Sequence, residues 1–455
     1  MVNDTTLLLG LDGVSVVPAE SLADGTRRVH LTTTDEAARA CPSYGVFASR
    51  VKGPAVTRPG DIPYGERELE LFWHKHRWWC RESTCPTKSF TESITQIPAG
   101  ARITARLREA AGRRVRDAGS TVIEAAHDLH LSWPTMTSAF RASAREVVEA
   151  PLPEVKVLDI DETRRGKTKW EQDPGSGKWR LTRDRWHTGF VDALDHGGLL
   201  GQVEGRTIAD VQAWLSATPL TWRKNIRHVA IDTSATYRAA IRTSLPDAIV
   251  VVDHFHIVQF ATKMLSMVRR RTIAEVRGRR GRATDPEWKA RHRLLRNREY
   301  LTDEQFATMW NTLLSQGRIG QTLLTAWIAK ENLRNLLALA RAGADADADA
   351  ACHQVGQARW KFLTWCAESD NPELRQLATT INRWWPETAA FLDTRHSNAG
   401  SEGINRVIKL VARNSFSFRN ADNQRLRTRA SPLAELADTS ASLNFEDPGI
   451  IAIRS

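Results

Sequence analysis

The chain has 455 residues, 41% hydrophobic and 26% charged, a globular composition too long for one ordinary core. Lys and Arg number 64 against 53 Asp and Glu, a formal net charge of +11. That excess favours a polyanionic partner through release of phosphate counterions and leaves the fold open. No apolar run reaches the length of a membrane span, and the N-terminal MVNDTTLLLGLDGV carries acids where a secretory signal carries bases. An odd count of 5 cysteines argues against a disulfide framework, so a cytoplasmic protein is expected.

In chain order, residues 1–97 read as short strands and turns: VSVV, RRVHLTTT and ERELELFWHKHRWWC are extended or alternating. Residues 98–150 change to helical texture. ARITARLREAAGRRVRDAG is an amphipathic basic helix closed by Gly119. Ser120 or Thr121 then caps a short helix, His130-Leu131 makes a tight turn, and Ser132 caps a second helix with Pro134 in its first turn. This layout predicts a helix-turn-helix whose recognition helix begins near Trp133, with Trp133, Thr135 and Arg141 as DNA-facing candidates; a plain helical linker is the alternative. Residues 151–257 alternate strands (VKVLDID, RHVAIDTS, AIVVVDHFHIVQ) with helices, an α/β pattern. Residues 258–392 are helical throughout, interrupted by an Ala/Asp repeat after Gly343 expected to be a loop. Residues 393–430 give a turn and a helix, and 431–455 read as a loosely held tail.

Three acids stand out by position. Asp161 is expected to end the strand VKVLDI, Asp232 follows the strand HVAI, and Glu402 opens the helix SEGINRVIKLVAR. Acids just past buried strands lie at the carboxyl edge of an α/β sheet, where such folds place their sites, although any one of them is more often a cap or turn residue. Three carboxylates without a histidine suit Mg²⁺, a hard ion that prefers oxygen. Phosphodiester cleavage is served by two such ions about 4 Å apart, which supply a nucleophile and stabilise the leaving oxygen. On the last helix Glu402, Asn405 and Lys409 share one face, while Ile404, Val407, Ile408 and Val411 form the opposite, packing face.

The motifs LDIDETRRGK, VAIDTSATYRAAI followed by LPDAIVVVDHFHIVQ, and SNAGSEGINRVIKLVARNSFSFRN resemble, in order and separation, the ISL-three family of insertion-sequence transposases of the acidic-triad (DDE) superfamily. The resemblance covers nearly the whole chain. It implies a ribonuclease H-like catalytic core with the first acid on the first strand, the second after the fourth strand and the third on a helix. Carried over, these are Asp161, Asp232 and Glu402 as catalytic Mg²⁺ (or Mn²⁺) ligands, the gap between the last two being lengthened by an all-helical insertion. Asp253-His254-Phe255-His256 resembles the family's Asp-x-Phe-His signature. Asp253, His256, Asn405 and Lys409 are therefore supporting candidates, with a packed structural histidine the equal alternative for His256. Glu162 is expected on the opposite side of the strand, with a supporting role at most.

The family also carries an N-terminal zinc finger, and Cys41, Cys80 and Cys85 fall where it lies. The second cysteine of the first Cys-x-x-Cys knuckle is replaced here by Tyr44, a poor zinc ligand. Either His74 or His76 completes a site for one Zn²⁺, or the finger is metal-free. Between Ser266 and Arg298 there are 12 Lys and Arg against 3 acids, and Arg269, Arg270 and Arg271 are candidate phosphate contacts; a solvated helical face is the alternative. Trp365, Trp384 and Trp385 are read as core or base-stacking residues.

The expectation is a multidomain α+β and α/β protein: a zinc-ribbon-like module, a helix-turn-helix, and a ribonuclease H-like core split by a helical insertion. It would bind the terminal inverted repeats of its own element and target DNA, cut and join strands as a homo-oligomer, and work at the bacterial nucleoid without contacting membrane. The rival is a transposase-derived repressor that binds element ends and no longer cuts.

Overall fold

The computed structural model describes residues 4–65, 67–194, 198–340, 348–416, 418 and 420–432. It divides into two compact units, one built on Met1–Pro151 and Lys409–Pro432, the other on Leu152–Ile408.

The first unit opens with α1 (Asp4–Leu9) and strands β1 (Val14–Ser21), β2 (Arg27–Thr33), β3 (Arg50–Thr57), β4 (Leu69–Trp79) and β5 (Ser89–Thr91). They form one sheet, β1-β2-β4-β3 with β5 on β4, in which β2 and β4 run parallel. Alternation in β4 turns Leu69, Leu71 and Trp73 inward onto Val14, Val16, Leu31 and Ile97. Three helices follow: α2 (Ala105–Arg116), α3 (Val122–Asp128) and α4 (Trp133–Val148). Thr104, Thr121 and Ser132 cap them by accepting from the Leu107, Glu124 and Thr135 amides, and Glu124 closes a capping box on Thr121. His130 has φ of 52° in the turn between α3 and α4. At Gly112 the helices α2 and α4 cross so closely that a Cβ would lie 2.6 Å from that of Ser143. Ala111, Val115, Ala125, Met136 and Phe140 fill the centre of the trio.

The second unit contains β6 (Val157–Arg164), β7 (Lys169–Gln172), β8 (Trp179–Arg183), β9 (Trp186–Asp192), β10 (Leu199–Glu204), α5 (Ile208–Ala217), α6 (Leu220–Asn225), β11 (His228–Ile231), α7 (Ala235–Ser244) and β12 (Ile249–Val252). The central mixed sheet has the order β10-β9-β6-β11-β12. β10, β9 and β6 are antiparallel, whereas β6, β11 and β12 are parallel. Strands β7 and β8 pair only with each other, a ribbon inserted between β6 and β9 that the sequence reading did not anticipate. Asp161 does not end its strand. β6 runs on to Arg164 because β9 continues to pair with it, as far as Arg164 opposite Trp186.

Helices then dominate: α8 (His254–Arg277), α9 (Pro286–Lys289), α10 (Arg291–Leu295), α11 (Asp303–Leu314), α12 (Arg318–Ala338), α13 (Ala348–Ala367), α14 (Pro372–Arg383), α15 (Trp385–Thr394) and α16 (Ala399–Asn414). A final helix, α17 (Ala421–Arg429), belongs to the first unit, where Leu426 and Ala430 pack on the core of α2–α4. Apolar side chains of β6, β9, β11 and β12 share one continuous core with α5, α7, α8 and α10–α15. The centre of that helical region is α12, buried on nearly all sides. Its Lys330 is wholly enclosed, with Nζ donating to the Leu294 and Arg296 carbonyls and paired with Glu331 at 2.8 Å. Most of the Ala/Asp repeat and nearly all of the expected tail lie outside the described residues.

Candidate active site

Period-2 alternation sorts the residues of β6 onto two faces. Leu158 and Ile160 enter the main core, so Asp159, Asp161 and Thr163 share the other face. Helix α16 covers that face with its apolar side: Ile404 and Ile408 cluster with Val191 and Leu199 of the neighbouring strands, and Val407 is also buried. The polar contacts follow in register. The Ser401 amide donates to Asp159 Oδ2 at 3.4 Å, Asn405 Nδ2 donates to Asp161 Oδ2 at 2.7 Å, and the Thr163 hydroxyl donates to Asn405 Oδ1. Asn405 therefore ties Asp161 to the helix whose first turn carries the exposed Glu402.

Asp232 directly follows β11, the strand parallel to β6. Its Oδ1 is buried with no hydrogen-bond partner among the described residues. Burial, then the charges of Glu162 and Asp161, push its carboxyl up to about 6, with His256 acting in the opposite sense. Asp161 is also raised, first by burial and then by Glu162 and Glu402, against the Glu162 amide and His256, which lower it. Glu162, Glu402 and His256 thus act on Asp161, and Glu162, Asp161 and His256 on Asp232, but no three of these side chains bring ligand atoms within 4.8 Å of one another. Glu162 pairs with Arg206 at 3.3 Å on the side of β6 away from α16. Asp253 is 5% exposed; it caps α8 by accepting from the Phe255 amide at 3.1 Å and lies 2.9 Å from His254 Nδ1. Lys409 is exposed and makes no ion pair among the described residues.

The carboxylate set passes one test for a cation. A buried carboxylate oxygen without a donor, beside a second carboxylate whose charge burial disfavours, is an arrangement that a divalent ion would satisfy. By sequence Asp159 reads as a strand acid that should tolerate Ala with at most a modest effect on stability. It is fully buried beneath the start of α16, and burial holds it well above the usual carboxylate range. The only available signal was the Asp-x-Asp spacing, which puts both acids on one face of the strand.

The thiols of Cys41, Cys80 and Cys85 lie within 4.8 Å of one another, the one such group of metal-ligand side chains among the described residues. Cys41 and Cys85 are buried, with sulfurs 3.6 Å apart. The Glu82 amide lowers the Cys80 thiol, yet burial and the two neighbouring thiols push it up to about 11. A dication would relieve that crowding. Neither His74 nor His76 joins the group, because His74 Nε2 sits 2.8 Å from His30 Nδ1 and His76 faces Glu92 at 3.4 Å. Tyr44 is 52% exposed.

The DNA-facing candidates separate by environment. Trp133 is 54% exposed at the start of α4. Thr135 is bonded to the Ser132 cap, and Arg141 donates to Asn423 of α17 at 3.1 Å. Arg270 is exposed, Arg269 lies over Trp288, and Arg271 is held by Glu373, Glu275 and Asn371. The nearby Arg277 and Arg279 pair with Glu287 and Asp285, so part of the basic run is neutralised. Trp384 is core with Arg238 over its ring, Trp385 packs on the core under Arg359, and Trp365 donates to the Thr325 carbonyl.

The family of ISL3-type DDE transposases matches residues 178–428. The transposase of insertion sequence IS1001 from Bordetella parapertussis is 26% identical over 396 residues, 86% of this chain and 88% of that protein. The transposase of IS1557 from Mycobacterium tuberculosis is 26% identical over 264 residues, 53% of this chain and 56% of that protein. Among solved structures, the Drosophila P element transposase strand transfer complex aligns with 73% of this chain and 91% of its own, with 8% identity and a TM-score of 0.35. The chain belongs to the ISL3 family of DDE transposases, enzymes of bacterial insertion sequences.

Proposed function

We propose that the chain cuts and joins DNA at the ends of its own element, with Asp161, Asp232 and Glu402 as the acidic triad. The observation that carries this reading is the Asn405 bridge. It fixes Asp161 on the helix that bears Glu402, while Asp232, after the neighbouring parallel strand, presents a buried carboxylate oxygen with no partner among the described residues. Setting the ribbon aside, the strand order runs third-second-first-fourth-fifth, with Asp161 on the first strand and Asp232 after the fourth, which supports a ribonuclease H-like core. Helices α8–α15 would then be its insertion, although they share its core.

Asp161, Asp232 and Glu402 would hold Mg²⁺ or Mn²⁺, which when bound supplies a nucleophile near neutral pH and stabilises the leaving oxygen. Asn405 orients Asp161, and Thr163 fixes the Asn405 amide so that its NH₂ faces the carboxylate. His256 offsets the negative charge on Asp161 and Asp232. Helices α3 and α4 would form the helix-turn-helix, with Trp133 at the exposed start of the recognition helix. Cys41, Cys80 and Cys85 would hold one Zn²⁺ through three thiolates, the fourth ligand coming from outside the protein. The protein would act on double-stranded terminal repeats and target DNA at the nucleoid, as a homo-oligomer.

The test is nicking of a labelled duplex carrying the genomic sequence that flanks the gene, with Mg²⁺ present. Asp161→Ala, Asp232→Ala and Glu402→Ala should each lose more than about a hundredfold in cleavage, the scale of losing one preorganised electrostatic group. Duplex binding should persist. A well-folded Glu402→Ala protein that cuts at the wild-type rate overturns the third position. A wild-type protein that binds the ends and never nicks them supports the repressor reading instead.

A further inference from the structure

We propose that the β7–β8 ribbon is a DNA-docking arm, which deepens the reading of the chain as a strand-cutting enzyme and rests on it. The ribbon grows from the strand pair that carries Asp161. That pair ends at Arg164 opposite Trp186, and the Arg165 amide then donates to the Arg185 carbonyl at 2.7 Å. Arg164 and Arg206 stack on Trp186 at 4.5 and 4.1 Å, holding the root of the ribbon. The far end is also ordered. Asp173 Oδ1 accepts from the Gly175 and Ser176 amides and the Ser176 hydroxyl, and Gly177 takes φ of 66° to close the turn.

Between root and tip, every residue of both strands is exposed. Trp170 lies opposite Leu181 and Gln172 opposite Trp179. Directly paired residues share a face, so Trp170, Trp179 and Leu181 line one side, 55%, 66% and 42% exposed, with Glu171 and Arg180 on the other. Two tryptophans on an isolated two-stranded ribbon are an unusual use of apolar surface, since such a ribbon is marginal in water by itself.

Charge names the occupant. Lys167, Lys169, Lys178, Arg180 and Arg183 make no ion pair among the described residues. Of the acids between 167 and 183, Asp173 is committed to the turn, which leaves Glu171 alone against five bases. In α8, by contrast, Arg271 and Arg277 are held by Glu275, Glu373 and Glu287. An unmatched basic ribbon with exposed indoles suits a polyanion whose bases offer flat faces. The lysines and arginines would meet phosphates beside the scissile bond, and Trp170 and Trp179 would stack on nucleobases there.

The test uses the full chain and a labelled duplex carrying the sequence that flanks the gene, with affinity measured across a salt series. The triple variant Lys169→Gln, Lys178→Gln and Arg180→Gln should bind about tenfold more weakly and lower the salt slope by roughly 2–3, since each lost phosphate contact removes about 0.9. The double variant Trp170→Ala and Trp179→Ala should weaken binding roughly tenfold with the slope unchanged, as expected for lost stacking. With p-benzoylphenylalanine replacing Trp170, irradiation should attach the chain to the labelled strand. Wild-type affinity and slope in both variants would overturn the arm while leaving the transposase reading intact. Attachment to a second copy of the chain in place of DNA would make the ribbon a protein contact and also overturn it. Failure of the wild-type protein to bind the duplex would instead undo the reading on which the arm rests.

Discussion

Asp232 gives the sharpest test of the proposed metal site, because burial and neighbouring charge disfavour its carboxylate in the fold. Its Oδ1 is buried without a donor, and burial followed by the charges of Glu162 and Asp161 raises the carboxyl from 3.8 to about 6. A raised carboxyl pKa stabilises the folded state only below the unfolded value, and that contribution is lost as pH rises through the folded one. Roughly two units at about 1.4 kcal/mol each set an upper limit near 3 kcal/mol; partial exposure and shared charge with Asp161 bring the expected figure to about 1–3 kcal/mol. Asp232→Asn keeps the shape and cannot ionise. In EDTA it should match the wild type near pH 4 and become progressively more stable between pH 4 and pH 7. At about 2–4 °C per kcal/mol for a unit of this size, the gain in melting temperature should be several degrees. Adding Mg²⁺ should stabilise the wild type at pH 7.5 and leave the variant unchanged, while cleavage by the variant disappears. A melting difference that stays flat from pH 4.5 to 8, or an Asp232→Asn protein less stable than the wild type at pH 7.5 without metal, refutes the reasoning.

Asn405→Ala should cut at least tenfold more slowly with end binding intact, because Asp161 loses the donor that orients it; an unchanged rate in a folded protein would reduce the bridge to packing. Asn405→Asp should be worse than Asn405→Ala, since it sets a second carboxylate against Asp161, and the same nicking assay ranks the two. Freshly purified protein should carry about one zinc per chain by metal analysis, and Cys80→Ser should lower that content, whereas His74→Ala and His76→Ala should not. Ser132→Ala should cost about 1 kcal/mol of stability by uncapping α4, and Trp133→Ala should weaken discrimination between end and shuffled duplexes with little effect on melting.

What was legible in the sequence depended on how local the signal was. The caps at Thr121 and Ser132 are local chemistry, and helices α3 and α4 begin where those side chains accept from the chain ahead. The apolar stripe of α16 was readable from spacing alone, and Ile404 and Ile408 are buried as it requires. The extent of β6 was not legible, because the acids of LDIDETR suggest a strand end and only pairing with β9 carries it to Arg164. The β7–β8 ribbon was missed for a related reason. Lys169–Gln172 and Trp179–Arg183 are only four and five residues long with three apolar side chains between them, too short a pattern to mark a strand, and neither face is buried.

Charge pairing was the least legible layer. The run from Ser266 to Arg298 has four times as many bases as acids, yet Arg271, Arg277 and Arg279 find Glu373, Glu287 and Asp285, one of them far along the chain. A count of charges cannot see Glu373 folding back across a hundred residues. The same blindness hid Asp159, which by sequence is one more acid at a strand and in the fold is a buried carboxyl under the Ser401 amide. Both cases reverse a composition argument for one physical reason: a charge acts through its partner and its exposure, and tertiary contacts set both. The unmatched bases of the ribbon are informative on the same ground. Paired with no acid among the described residues, they keep their charge available to a phosphate, whereas Arg271 would first have to leave Glu373.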